Sequence, residues 1–295
     1  MTIEIIEKYP LSIVPSISGI EVWEEKIYLI GDDSAYVYIM DANLQFLQTV
    51  QLFKSRRKPG EKIPKLLKAD LEAMAVFQWH ERPFLLMLGS GSLAVQRERG
   101  YLLNLHDHSQ VLTVDLSKLY AMLQKEYGIE ELNIEGLTAT KSNLYMVQRG
   151  NLHGDNYLLK FDMEALICHL LGHEALPPKP ISFPFDLGGY QQWLLGFTGL
   201  HTLNEQMLLA TLTVEATDST YLDGQVMGSF VGLIDLNSHP PVIEKQQLAF
   251  QGAHILEKAE SLAVWQQKSD HEYILLLATD NDDQPSSIYK ARLTV

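Results

Sequence analysis

Short apolar runs separated by polar turns recur along the whole chain, with the period of strands rather than helices. Ala35-Tyr36-Val37-Tyr38-Ile39 and Phe46-Leu47-Gln48-Thr49-Val50 follow the alternation of half-buried strands. Five segments share a longer pattern. Ile17-Ser18-Gly19-Ile20, Leu71-Glu72-Ala73-Met74, Ile134-Glu135-Gly136-Leu137, Phe197-Thr198-Gly199-Leu200 and Ala259-Glu260-Ser261-Leu262 each join an oxygen-bearing side chain to a small residue and then a large apolar one. Each leads through a polar turn into a strongly apolar strand: Lys26–Gly31, Phe84–Gly89, Asn143–Gln148, Gln206–Thr213 and Tyr273–Thr279. A repeated unit that cannot bury both its faces alone must stack against its copies.

The repeat predicts an all-β fold, a five-bladed β-propeller of four-stranded blades forming one domain over 1–295. Strands are expected at Gly19–Trp23, Lys26–Gly31, Tyr36–Asp41 and Phe46–Leu52 in the first blade. The second takes Glu72–Phe77, Pro83–Gly89, Gly100–Leu105 and Gln110–Asp115, and the third Glu135–Thr140, Asn143–Gln148, Asn156–Asp162 and Pro180–Phe185. The fourth takes Thr198–Leu203, Gln206–Glu215, Gln225–Asp235 and Val242–Phe250. After Glu260 only three strands remain, Leu262–Trp265, Tyr273–Thr279 and Ser287–Thr294, so Thr2–Tyr9 is expected to complete the fifth blade and close the ring. Two helical insertions are predicted, Ser117–Tyr127 with Ser117 as N-cap and Gly128 as its stop, and Met163–Leu171. The motif oxygens are 54, 63, 63 and 62 residues apart, and the basic connector Phe53–Lys68 and the helices account for the excess over a plain blade. An open sandwich is the alternative, but it gives no reason for the shared motif.

In a propeller the first strand of each blade lines the central channel, so Ser18, Glu72, Glu135, Thr198 and Glu260 would form one layer around it. Three carboxylates at close range repel unless some are protonated or a cation sits among them. No Lys or Arg shares the motif register to neutralise them. Ca2+ takes about 6–8 oxygen ligands from carboxylates, hydroxyls, carbonyls and water, and three Glu with two hydroxyls begin such a set. A water-filled channel with Glu side chains bonded to backbone amides is the alternative.

Composition narrows the partners. The chain is 46% hydrophobic and carries a formal charge of −14, which argues against nucleic-acid or anionic-membrane binding. Its single cysteine, Cys168, forms no internal disulfide. Met1–Pro10 has no leader pattern, and no apolar run approaches the roughly 20 residues of a membrane span, so a cytoplasmic location is expected.

The order Ser18, Glu72, Glu135, Thr198, Glu260 resembles that of the soluble calcium-activated apyrases, five-bladed propellers that hydrolyse nucleoside di- and triphosphates and hold Ca2+ at these positions. Ser18-Gly19-Ile20-Glu21-Val22 running to Asp32-Asp33 is similar to that family's first complete blade, with its paired aspartates. Gly196-Phe197-Thr198-Gly199-Leu200 running on to Glu215, Arg149, and Asp280-Asn281-Asp282 have counterparts there too, whereas Ser34 replaces a basic residue. Esterase-like phytases and bacterial propellers of undetermined function show similar Glu-Gly-Leu openings.

The ends of the second strands are expected to cluster at one mouth of the channel. Asp32, Asp33, Asp280 and Asp282 could orient and deprotonate water, and Arg149, Ser90 in its Gly-Ser loop, and Glu215 could contact substrate. These readings point to calcium-dependent hydrolysis of a phosphoanhydride or phosphoester in a small phosphorylated molecule. The alternative is a propeller that binds a small ligand or a protein without catalysis.

Overall fold

A computed structural model describes residues 1–150, 155–217, 224–281 and 285–295. Strand β1 (Thr2–Leu11) precedes the first blade, β2 (Ile17–Trp23), β3 (Lys26–Gly31), β4 (Tyr36–Asp41) and β5 (Phe46–Gln51). The second blade is β6 (Leu71–Trp79), β7 (Arg82–Gly89), β8 (Arg99–Asn104) and β9 (Val111–Asp115), followed by α1 (Ser117–Tyr127). The third is β10 (Ile134–Ala139), β11 (Asn143–Gln148), β12 (Asn156–Asp162) and, after α2 (Met163–Leu170), β13 (Ile181–Phe185). A two-residue strand β14 (Gly189–Tyr190) pairs beside the fourth blade, β15 (Trp193–Asn204), β16 (Met207–Ala216), β17 (Gln225–Asp235) and β18 (Val242–Gln247). A small hairpin, β19 (Ala249–Phe250) and β20 (Ala253–His254), leads to β21 (Lys258–Gln267), β22 (Glu272–Asp280) and β23 (Ser286–Thr294).

Strand β1 pairs antiparallel with β23, from Thr2 opposite Thr294 to Leu11 opposite Ser286, so the fifth blade is built from both ends of the described chain. Five apolar cores lie between successive blades among the described residues. Tyr28 and Ile30 meet Met74 and Met87 between the first and second, and Leu86 and Leu88 meet Leu144 and Met146 between the second and third. Val147 and Leu158 meet Phe197 and Leu212, and Leu209 and Val231 meet Leu262 and Leu275. The fifth core joins Ile20 and Ile27 to Ala263, Leu276 and Ile288, which closes the ring. Packing between blades buries the inner strands of each sheet on both faces, while outermost strands such as β5 and β18 stay largely exposed as short edges.

Two local expectations change. Helix α1 starts on Leu116, and the side chain of Asp115, not of Ser117, accepts the first free amide, that of Ser117, at 2.9 Å. Gly128 ends the helix at φ +65°, a conformation that glycine adopts without strain. The expected strand Val242–Phe250 is split, because Leu248 leaves the ladder, donates its amide to the Ser229 carbonyl and packs in the core. No helix of the described residues is long and apolar enough to cross a membrane.

Candidate functional site

Every motif oxygen sits on a β-bulge. The pairing of β2 with β3 slips between Ile17 and Gly19, and the same slip falls at Glu72, Glu135, Thr198 and Glu260 in the other four blades. A bulged residue leaves the ladder and re-aims its side chain. The small residue that follows explains itself at the axis. A Cβ on Gly199 would fall 2.5 Å from the Glu260 carbonyl oxygen, and one on Gly136 2.8 Å from the Leu200 amide nitrogen. Only small residues let neighbouring blades approach this closely.

The two hydroxyl positions stitch blades together. Ser18 Oγ donates to the Leu71 carbonyl, and Thr198 Oγ1 donates to the Ala259 carbonyl, each reaching the residue just before the next blade's Glu. Replacing Ser18 with Ala should therefore remove a buried carbonyl's hydroxyl partner, whereas in Thr198→Val the Ala259 carbonyl keeps the Thr213 hydroxyl at 3.4 Å and the loss should be smaller. The expected cost of Ser18→Ala is about 1–3 kcal/mol in a urea titration, and a change below about 0.3 kcal/mol would show that the stitch contributes nothing.

A cavity of about 540 Å³ opens at this end of the channel. Ser18, Glu72, Glu135 and Glu260 of the ring line it, with Asp32, Glu215 and Asp280 from the ends of the second strands. Asp70, Glu130 and Glu131 bring the carboxylates in its wall to nine, against four basic side chains, Lys65, Lys68, Arg97 and Lys258, among the described residues. Thr198, Asp33, Ser90 and Arg149 lie behind this wall, each less than a tenth exposed. Asp282 lies outside the described residues.

The basic side chains that offset the ring come from just outside the motif register. Lys258, two residues before Glu260, stands 3.0 Å from Glu260 Oε1 and 3.4 Å from Glu215 Oε1. Arg149 Nη2 donates to Glu215 Oε1 at 2.8 Å, and Arg149 Nη1 lies 3.8 Å from Glu135 Oε1. The glycine at 196 makes room for this arginine, since a Cβ there would meet Arg149 Nε at 2.9 Å. Lys68 pairs with Asp32 and, at 2.7 Å, with Asp70 Oδ1. Arg97 Nη1 donates to Asp70 Oδ2 at 2.7 Å and to Ser92 Oγ at 2.6 Å. Position −2 relative to each motif oxygen reads Ser16, Asp70, Asn133, Gly196 and Lys258, and this second register is the signal that would have revealed Asp70 and Lys258.

The offset is incomplete. Glu135 Oε1 accepts from Asn133 Nδ2 at 2.6 Å and Glu260 Oε1 is held by Lys258, but Oε2 of each is buried without a partner. Burial pushes the carboxyls of Glu72 and Glu260 well above the usual range, Asp70 adding to it at Glu72 and Glu135 at Glu260. Burial also raises Glu135. Burial acts the same way on Glu215, but Arg149 and Lys258 outweigh it and hold that carboxyl down to about 2. Asp32 is raised by burial, and its Oδ1 has no partner while Lys68 holds Oδ2. Asp33 behind it accepts from Ser16 Oγ at 3.0 Å and is raised to about 6 by burial and by Asp32.

Among the described residues, the carboxylates that bring one oxygen each within 4.8 Å of one another are Asp32, Asp70 and Glu72, so Glu72 gathers with its neighbours Asp32 and Asp70 rather than with Glu135 and Glu260. The donor set therefore fits a hard cation, with orphaned carboxylate oxygens in a cavity rich in acids. The Gly-Ser loop does not form an anion cradle. Ser90 is fully buried, its amide donates to the Asp70 carbonyl and its hydroxyl to the Asp70 carboxylate, and the Gly91 amide donates to the Arg97 carbonyl.

A single family profile matches residues 13–293, from just before the first blade to the end of the last. The chain belongs to DUF6929, a family of unknown function. The stretch shared with DUF6929 contains all five motif oxygens and the lysines that flank them. No curated protein sequence matches the chain significantly. Among solved structures, the tail fiber of Staphylococcus aureus phage P68 is similar at 9% identity and a TM-score of 0.51, over 100% of this chain and 53% of that one. The glutaminyl cyclase of Myxococcus xanthus is similar at 10% identity and a TM-score of 0.48, over 99% of this chain and 97% of that one. The mannose phosphorylase MPT-4 of Leishmania mexicana is similar at 10% identity and 0.42, over 97% and 88%. At such identities the likeness is one of fold alone.

Proposed function

We propose that this protein is a calcium-dependent hydrolase of small phosphorylated molecules, acting at the mouth of its central channel. The observation that carries this reading is the pair of buried, unpartnered oxygens, Glu135 Oε2 and Glu260 Oε2, in a wall where carboxylates outnumber basic groups. The ring's likeness to calcium-activated apyrases supports the same cation. Glu72, Glu135 and Glu260 would hold it, with the Ser18 hydroxyl and neighbouring carbonyls, whereas Thr198 lies behind the wall and would support the ring without touching the ion. A bound Ca2+ would supply charge to offset the phosphoryl oxygens and the acidic wall.

The chain's own residues divide the remaining work. Asp32 lines the cavity, has a buried oxygen with no partner and a proton affinity raised by burial, so it suits a base that takes a proton from water admitted to that oxygen. Asp280 flanks the same wall, opposite Lys258 in the β21–β22 ladder, and is a second candidate for orienting that water. Lys65, Lys68 and Lys258 are the lysines within reach of a phosphate in the cavity. Arg149 acts behind them, keeping Glu215 ionised and Glu135 in place. Ser90 supports Asp70 from the interior, and Asp33 is held behind the wall by Ser16.

Phosphate release from a panel of nucleotides and sugar phosphates, in Ca2+ and in chelator, tests the reading. Turnover of at least one compound that disappears in chelator and in Asp32→Asn is expected. The basic side chains of the wall already face carboxylates, and this favours the second reading, a propeller that binds a ligand without turning it over. Ca2+ binding with no turnover of any compound would select it.

A further inference from the structure

Seven of the 23 Lys and Arg residues lie between 54 and 68, with Glu61 as the one acid among them, in a chain of net charge −14. This basic connector is not a loose excursion. Tyr36 Oη donates to the Arg57 carbonyl at 3.1 Å, the Gly60 amide donates to Tyr38 Oη at 2.9 Å, and the Ile63 amide donates to the Asp33 carbonyl at 2.8 Å. Its near end enters the cavity wall through Lys65, Leu66 and Lys68. Its far end exposes Lys54, Arg56, Arg57 and Lys58; the Lys58 amide donates to Glu61 Oε2 at 2.9 Å, and none of the four side chains forms an ion pair with a carboxylate among the described residues.

An anion approaching this protein meets an acidic surface and then an acidic cavity. Fixed cations beside an entrance reverse the local field and raise the encounter rate, by about 10- to 1,000-fold in strongly steered cases. Surface lysines are ordinarily interspersed with acids that cancel them. Here four exposed cations share the connector with a single acid, Glu61, and lie seven to eleven residues along the chain from Lys65 in the cavity wall.

We infer that residues 54–58 form an anion-capture arm, which gathers molecules bearing several phosphate charges and passes them along Lys62 and Lys65 into the cavity. The inference rests on the phosphate reading of that cavity and adds to it a preference for multiply charged ligands. It also predicts opposite effects on the two kinds of ion. The arm attracts the anionic ligand and repels the cation that the ring would hold.

The test compares the parent with a variant carrying Lys54→Gln, Arg56→Gln, Arg57→Gln and Lys58→Gln. All four positions are exposed and outside the cavity wall, so the fold should persist. The probes are methylenediphosphonate in the presence of Ca2+, and Ca2+ alone, both by calorimetry. At about 20 mM salt the variant should bind diphosphonate about tenfold more weakly, and the gap should close at about 0.5 M salt as screening shortens the field. Its Ca2+ affinity should be unchanged or higher. Structural damage would weaken both, so parallel losses overturn the inference, as does an unchanged diphosphonate affinity. A parent that binds Ca2+ but no diphosphonate would end the phosphate reading and the arm together. Diphosphonate binding that is equal in parent and variant would end the arm alone.

Discussion

Glu135→Gln is expected to abolish the protection that Ca2+ gives the parent protein against heat. A ligand that binds only the folded state stabilises it by about 2.7 kcal/mol at a hundred times its dissociation constant. For a domain of this size that amounts to roughly 5–10 °C in Tm. The variant keeps the shape of the side chain and its contact with Asn133, but loses the charge on the orphaned oxygen. Its Tm in chelator should equal or exceed that of the parent, because a repelling charge has gone. Equal melting temperatures for the parent in Ca2+ and in chelator would remove the cation from the ring and leave a hydrated channel.

The same groups set the pH dependence. Glu72, Glu135 and Glu260 have folded pKa values raised above the ordinary 4.5, so the folded state retains protons that the unfolded chain releases. In chelator, stability should be greatest on the acidic side and fall as pH rises from about 4.5 through the raised values. Ca2+ should flatten that fall. A chelated protein whose Tm does not change between about pH 5 and pH 8 would show that burial does not raise the proton affinity of the ring carboxylates.

Arg149→Met should be the most destabilising single change at the site, costing roughly 3–5 kcal/mol in urea, because it leaves Glu215 and Glu135 buried beside a missing cation. Adding Glu215→Gln should recover at least half of the loss, since a neutral amide needs no counter-charge. A cost below about 1 kcal/mol for the single variant would contradict the burial of this pair. Glu215 contributes stability that is present above 4.5 and lost as pH falls toward its folded value of about 2. In Arg149→Met that acid-side loss should begin at a higher pH.

The number of blades, their order and the closure by Thr2–Tyr9 could be read from the chain, because each depends on a local period. Alternation marks a strand wherever it occurs, and a motif repeated every 54–63 residues marks a unit that must stack. The convergence of Ser18, Glu72, Glu135 and Glu260 on one cavity follows from that register alone. The bulge that aims them was not marked in advance, though the small residue after each oxygen is its trace.

What the sequence could not decide is which charges meet. Lys68 and Lys258 lie off the motif register, yet their long side chains reach Asp32 and Glu215 on the preceding blades as well as Asp70 and Glu260 two residues along the chain. Arg149, a candidate phosphate ligand by its place at a strand end, is committed to Glu215, which lies 66 residues away along the chain and faces it across a blade boundary. Ser90 has the composition of an anion loop and spends its amide and hydroxyl on Asp70. Period and repeat are properties of neighbours along the chain, so they survive in one dimension. Neutralisation of Glu215 depends on Arg149 at 2.8 Å and Lys258 at 3.4 Å, each on a different blade from it, and only the packing of the blades sets those distances.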